Sequence, residues 1–72
     1  MIPIAHASPG KTIQIIHIKD SDKIKSQLQS RGISKGSKVQ ILKSGDPVLI
    51  KLGERRIAIE FKQAIKILGK EC

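Results

Sequence analysis

The apolar residues of this chain occur in short aliphatic runs, and glycine- or proline-containing turns separate the runs. Four runs have the length and alternation of strands, at residues 12–18, 38–43, 48–52 and 55–61. Isoleucine and valine are frequent in them, and such branched side chains pack well on a pleated surface. A short closing strand is expected at 65–68. The pattern therefore predicts a mainly β fold with five strands.

One helix is predicted between the first two strands, over residues 23–31. Residues 20–22 are Asp-Ser-Asp, and short side-chain oxygens of this kind accept hydrogen bonds from the free amides of a first helical turn. Ile24 and Leu28 stand four residues apart and share one helix face. A short helix with one apolar stripe is therefore expected to lie against the sheet.

Three glycines are expected to be critical for the fold. Gly32 suits the left-handed position that ends a helix, with Ile33 then contacting Leu28 in a Schellman ending. Gly36 turns the chain into the second strand. Gly53 begins a two-residue hairpin turn between the third and fourth strands.

Five strands and one helix are too few for a layered α/β sheet. The chain is expected to curl into a small barrel, which buries the aliphatic faces and reduces exposed edges. At 72 residues it is expected to form one domain over 1–72, with a thin core and little room for a deep pocket. Residues 2–4 are expected to be a leader at the domain edge, 62–64 a turn of 3₁₀ helix, and 69–72 a frayed end.

The formal net charge is +8, from 14 Lys and Arg against 6 Asp and Glu. Such an excess draws a protein toward polyanions or acidic protein surfaces. The single cysteine forms no internal disulfide, and the chain has neither a membrane-length apolar run nor a secretion signal. A cytoplasmic protein is therefore expected.

Enzyme chemistry is not expected. Residues 10–12, Gly-Lys-Thr, end like a phosphate-binding loop, but Ala5 stands where the first glycine of that motif belongs. The two histidines, His6 and His17, have no nucleophilic partner at a diagnostic spacing. Together with Cys72 they are the isolated ligand types for a metal, without the paired spacing of zinc sites. We expect no catalytic residue, no bound cofactor and no structural metal ion.

The basic residues concentrate in the helix and the second strand. Between Lys19 and Lys43 there are seven basic residues against two acidic ones, which carries +5 of the +8. One electropositive side is expected from Lys23, Lys25, Arg31, Lys35, Lys38 and Lys43. The candidate partner-binding residues are Lys23, Leu28, Arg31, Ile33, Lys35, Lys38 and Lys43. The positive charges would steer an acidic partner, and a solvated face that serves solubility is the equally weighted alternative.

Two further alternatives concern what this side binds. Leu28 and Ile33 either wall an apolar groove or close the core, and the core is the commoner role. RNA binding through phosphate contacts is the rival to a protein partner. Single-strand recognition relies on aromatic platforms, however, and Phe61 is the only aromatic residue apart from the histidines. The same deficit disfavours binding of proline-rich peptides.

An ordered set of short motifs covers residues 4–68 and resembles the FeoA family of bacterial ferrous iron uptake. The motifs are Ser8-Pro9-Gly10, Leu28-Gln29-Ser30-Arg31-Gly32-Ile33, Lys35-Gly36-Ser37-Lys38-Val39, Gly45-Asp46-Pro47-Val48, Leu52-Gly53, Ile57-Ala58-Ile59 and Ala64. The resemblance implies a small SH3-like barrel. It also implies a non-enzymatic accessory role, in which the protein docks on the cytosolic GTPase domain of a FeoB-type membrane transporter and is recruited to the inner face of the membrane.

Two positions depart from the family pattern. Arg31 stands where the family usually has methionine, and Glu60 stands where it tends to have arginine. If these positions touch a partner, partner choice differs here. A related module forms the C-terminal domain of some iron-dependent repressors. That alternative is less favoured, because the barrel is expected to begin at Met1 with no helix-turn-helix before it.

Overall fold

The computed structural model describes residues 1–72 and contains one antiparallel sheet of six strands, two α-helices and one 3₁₀ turn. The strands are β1 (Ile2–Pro3), β2 (Thr12–Ile18), β3 (Lys38–Lys43), β4 (Val48–Leu52), β5 (Arg55–Ile59) and β6 (Ile67–Glu71). The helices are α1 (Asp22–Ser30) and α2 (Phe61–Ala64), and the 3₁₀ turn is Ile4–His6. The strand order is β1-β6-β2-β3-β4-β5, and β5 and β1 do not pair with each other.

The predicted mainly β fold is confirmed, but the predicted five-stranded barrel differs from the structure in two respects. The leader at the start of the chain forms a sixth strand, in which Ile2 pairs with Gly69 and Pro3 with Leu68. The sheet also stays open between its two outer strands. A strand of only two residues carries no alternation pattern, so the sequence contains no local signal for it.

The expected frayed end is also wrong, because β6 continues to Glu71. β6 lies between β1 and β2, so its backbone has a partner on both sides; Ile13 pairs with Glu71. Gly69 is buried at the point where β6 pairs with β2. A Cβ at this position would overlap the Ile13 side chain and lie 2.6 Å from the Gln14 carbonyl oxygen. This glycine therefore allows the two strands to approach.

The core consists of 16 buried aliphatic residues and contains no buried polar or charged side chain. Most come from alternate strand positions, as the period of a pleated sheet requires. They are Ile4, Ala5, Ala7, Ile13, Ile15, Ile18, Leu28, Ile33, Val39, Ile41, Val48, Ile50, Ile57, Ile59, Ala64 and Ile67. Ile24 of α1 packs against this cluster from outside.

Both ends of α1 are capped by residues that the sequence indicated for this role. At the start, the Ser21 hydroxyl accepts from the Ile24 amide at 3.3 Å. At the end, Gly32 has a φ of +87°. The amides of Gly32 and Ile33 donate to the carbonyls of Gln29 and Leu28, each at 2.9 Å, which is the Schellman arrangement. The helix begins and ends one residue earlier than the sequence predicted.

Two further glycine turns and the second helix connect the remaining strands. Gly53 has a φ of +62° in the two-residue turn that joins the paired Leu52 and Arg55. Gly36, with a φ of +93°, precedes β3. Where the sequence predicted a 3₁₀ turn, the chain forms the four-residue helix α2, and Asp46 Oδ1 accepts from the first amide of α2 at 3.0 Å.

Candidate functional site

A groove of about 260 Å³ lies between α1 and the end of β2, and we call it the basic groove. Three segments build it: β2, α1 and the loop that follows α1. Its lining residues are His17, Ile18, Lys25, Gln29, Ile33, Ser34 and Lys35. No carboxylate is among them.

Local rules of the chain explain why these side chains meet. Lys25 and Gln29 stand four residues apart and therefore share one face of α1. The register between β2 and β6 shifts between Ile15 and His17, and His17 is exposed on the groove side. The left-handed turn at Gly32 returns the chain toward the sheet, so that the loop after α1 forms the third wall.

Hydrogen bonds hold that loop in place. The Ser34 amide donates to the Ser37 hydroxyl oxygen at 3.2 Å, and the Ser37 hydroxyl donates to the Gly32 carbonyl at 3.0 Å. The loop is also tied to β2, because the Gly36 amide donates to the Ile15 carbonyl at 2.7 Å. The backbone that carries Lys35 is therefore fixed relative to β2, while the lysine side chain itself is exposed.

The lysines of the groove make no ion pair within the molecule. The structure contains two ion pairs, Lys62 with Glu60 at 3.6 Å and Lys66 with Asp20 at 4.0 Å. Neither involves a lining residue of the groove. The ammonium groups of Lys25 and Lys35 therefore remain free to meet an anion from outside.

A different arrangement joins the end of α1 to the β4–β5 hairpin, and we call it the arginine junction. Arg31 Nη2 donates to the Ala58 carbonyl at 3.1 Å, and Arg55 Nη2 donates to the Arg31 carbonyl at 2.7 Å. Gly32 lies against this junction: a Cβ there would be 2.8 Å from Arg55 Nη2 and 3.0 Å from Leu52 Cδ2. Both guanidinium groups thus hold the helix against the hairpin.

The junction also covers part of an open sheet edge. In a hairpin with a two-residue turn, the two residues that flank the turn hydrogen-bond to each other through their backbones. The next residue of each strand directs its amide and carbonyl away from the partner strand, and the two orientations then alternate along the strand. Because Arg55 pairs with Leu52, the outward groups of β5 belong to Arg56 and Ala58. The Arg31 guanidinium donates to the outward Ala58 carbonyl. A covered strand edge of this kind pairs less readily with the sheet edge of another molecule.

The structure separates the seven candidate partner-binding residues into three groups. Lys23, Lys35, Lys38 and Lys43 are exposed. Arg31 is exposed but donates within the molecule. Leu28 and Ile33 belong to the core, with 2% and 0% exposed surface, which is the role that the sequence favoured for them.

Only two of the seven, Ile33 and Lys35, line the basic groove. The lining residues outside the candidate set are His17, Ile18, Lys25, Gln29 and Ser34. The four-residue spacing of Lys25 and Gln29 was a usable signal for a shared helix face. Nothing in the local sequence indicates that this face meets the end of β2.

Exposed apolar surface lies elsewhere. The exposed large hydrophobic residues are Met1, Ile2, Phe61 and Ile65. The Phe61 ring lies beside the His6 ring, with centroids 6.5 Å apart, where α2 meets the 3₁₀ turn. The local sequence gives no signal for the contact between His6 and Phe61, because the two residues are more than fifty positions apart.

No group of three His, Cys, Asp or Glu side chains comes together anywhere in the chain, and Cys72 is an exposed free thiol. None of its helices has the length and hydrophobicity that crossing a membrane requires.

The open six-stranded sheet and its capped helix place the chain among small domains with an SH3-like fold. The FeoA domain model matches residues 2–71, and the chain belongs to the FeoA family, whose members are accessory proteins of ferrous iron transport. This confirms the family that the motifs indicated. No curated protein matches the chain.

Three solved structures illustrate the similarity. The crystal structure of an iron uptake regulatory protein, FeoA, is 25% identical, has a TM-score of 0.90, and the match covers 99% of this chain and 96% of that one. The FeoA of Stenotrophomonas maltophilia in complex with zinc, described as a procaryotic SH3 domain protein, is 19% identical with a TM-score of 0.82, over 97% and 91% of the two chains. The IdeR protein of T. acidophilum is 25% identical with a TM-score of 0.89, over 99% of this chain and 34% of IdeR.

Proposed function

We propose that this protein is a non-enzymatic accessory protein of ferrous iron uptake that docks on the cytosolic GTPase domain of a FeoB-type transporter. It would act in the cytoplasm, at the inner face of the membrane. Membership in the FeoA family supports the iron uptake part of the proposal. The observation that carries the docking part is the basic groove, whose lysines have no internal partner.

The mechanism begins with electrostatic attraction. A net charge of +8 on a small domain raises the rate of encounter with an acidic surface, and the effect weakens as salt screens the charges. The alternative in which Leu28 and Ile33 form an apolar wall for a partner does not apply, because both side chains are buried. Charge and hydrogen bonding at the basic groove therefore carry the contact, and docking alters the GTPase cycle or assembly of the transporter.

The test is an association measurement with the purified cytosolic GTPase domain, by calorimetry, at about 50 mM and about 150 mM salt. We expect saturable binding at the lower salt and weaker binding at the higher salt. A complete lack of association at both concentrations contradicts the proposal. Sub-micromolar binding of a single-stranded RNA at about 150 mM salt would favour the nucleic-acid alternative instead.

A second candidate function follows from the match to IdeR, in which a domain of this fold covers 34% of a longer chain. In that role the protein would contact a separate DNA-binding polypeptide. Co-purification with a DNA-binding protein, together with no binding to the GTPase domain, would favour this function over transporter docking.

A further inference from the structure

The basic groove has a composition that selects for an oxyanion. Lys25 from α1 and Lys35 from the following loop supply two free ammonium groups, and His17 from β2 adds an imidazole. The Gln29 amide and the Ser34 hydroxyl supply neutral donors. An anion in the groove would therefore meet donors from three separate segments.

The size of the groove limits what it accepts. Its volume of about 260 Å³ lies below the roughly 300–1,000 Å³ of pockets that bury drug-sized ligands or cofactors. The groove is therefore of a size for one or two side-chain groups rather than for a ligand that is enclosed as a whole.

Its apolar part narrows the choice further. Ile33 is fully buried and Ile18 is 8% exposed. The accessible apolar surface of the groove therefore comes from the edge of Ile18 and from the methylene stems of Lys25 and Lys35. A glutamate side chain brings methylene groups that pack on such a surface, in addition to its carboxylate. Inorganic phosphate has no apolar part and gains nothing from these contacts.

We infer that the basic groove receives a glutamate carboxylate from an acidic segment of the protein partner. The inference rests on the proposed function for the identity of that partner, and deepens it by naming the chemistry that the partner presents. The net charge of +8 also attracts the neighbouring acidic residues of the segment.

The first experiment uses the full chain, labelled with ¹⁵N, and three probes: an N-acetylated hexaglutamate amide, the corresponding hexaglutamine peptide and inorganic phosphate. We expect saturable amide shifts at the groove residues with hexaglutamate and none with hexaglutamine. Phosphate should bind at least about ten-fold more weakly than hexaglutamate. Absence of saturable groove shifts with hexaglutamate, or phosphate binding as tight as that of the peptide, overturns the inference; the latter result would identify a free-phosphate site.

The second experiment separates the groove from net charge. Lys25→Ala with Lys35→Ala removes the two groove lysines, and Lys51→Ala with Lys70→Ala removes two exposed lysines that lie outside the groove. Both pairs lower the net charge equally. The first pair should weaken hexaglutamate binding about five-fold or more, and the second less than about two-fold. Equal weakening by the two pairs overturns the inference. If the first pair does not give a native-like spectrum, replacement of both lysines by glutamine makes the same test.

The same variants distinguish this inference from the proposed function. If the GTPase domain binds the wild type and the Lys25→Ala, Lys35→Ala variant equally well, the groove inference is wrong and transporter docking stands. If the GTPase domain does not bind the wild type, the proposed function is wrong, and the hexaglutamate titration still decides whether the groove is a carboxylate site.

Discussion

The basic groove and the arginine junction are both built on α1, yet they use positive charge in opposite ways. In the groove, Lys25 and Lys35 have no internal partner. At the junction, Arg31 and Arg55 donate to backbone carbonyls at 3.1 and 2.7 Å. The formal charge of +8 is therefore divided between cations that hold the fold and cations that remain free for a partner.

The chemistry of the two side chains fits this division. The planar guanidinium group presents several donors in fixed directions and is weakly hydrated, which suits a bond to a fixed carbonyl. The ammonium group of lysine is compact, strongly hydrated and mobile on its stem, which suits attraction to an incoming anion. A count of basic residues in the sequence does not distinguish these uses, and Arg31 was grouped with the lysines for that reason.

The largest expected effect comes from Gly32→Ala, which tests the close packing of the junction. The substitution places a Cβ at a φ of +87° and 2.8 Å from Arg55 Nη2. The Arg55 guanidinium is the mobile end of its side chain and can move away, but it then gives up its bond to the Arg31 carbonyl. We expect a loss of about 2 kcal/mol in the free energy of unfolding, from backbone strain and the lost bond together, measured by urea denaturation. Gly10→Ala is the matched control, because Gly10 has a φ of +91° and nothing within 4 Å of the added Cβ. This variant should lose only the cost of holding an alanine in a left-handed backbone conformation, about 1 kcal/mol in the free energy of unfolding. Equal losses would contradict the close packing.

A smaller effect is expected from Arg31→Met, which installs the residue that the family usually has. It removes the bond to the Ala58 carbonyl and should lower the free energy of unfolding by about 1 kcal/mol. Arg56→Met is the control, since Arg56 is exposed and its side chain makes no hydrogen bond in the structure. We expect it to change stability by less than about 0.5 kcal/mol. If both variants unfold at the same urea concentration, the Arg31 bond does not stabilise the fold.

The smallest effect on stability is expected at the groove. Removing Lys25 and Lys35 together should change the free energy of unfolding by less than about 0.5 kcal/mol, because neither lysine has an ion-pair partner to lose. Urea denaturation of the double variant checks this. A loss of about 1.5 kcal/mol or more would show that these lysines belong to the folded framework and would remove the contrast with the junction.

Local patterns predicted the parts of the molecule that depend on residues close in sequence. The alternation of Ile13 and Ile15, or of Val39 and Ile41, indicated which strand faces are buried, and Gly32 marked the end of α1. β1 and the outer half of β6 were missed. Pro3 pairs with Leu68, a partner from the other end of the chain, and neither segment carries enough alternation to indicate a strand.

The candidate site was less predictable, because it also depends on contacts between residues that are distant in sequence. The groove combines side chains from β2, α1 and the following loop, and their meeting depends on how α1 lies across the sheet. The sequence indicated the charge of this region, and Lys35 is the one lysine of the candidate set that lines the groove. It did not indicate that Arg31 serves the junction while Lys25 and His17 face the groove.

The most direct test of the division between the two regions compares the affinity of the FeoB-type GTPase domain for two single variants, Lys25→Met and Arg31→Met, at one salt concentration. Each removes one positive charge and leaves an unbranched apolar side chain. We expect Lys25→Met to weaken binding about three-fold or more, and Arg31→Met to change it by less than about 1.5-fold. Equal weakening by both variants, or greater weakening by Arg31→Met, would contradict it.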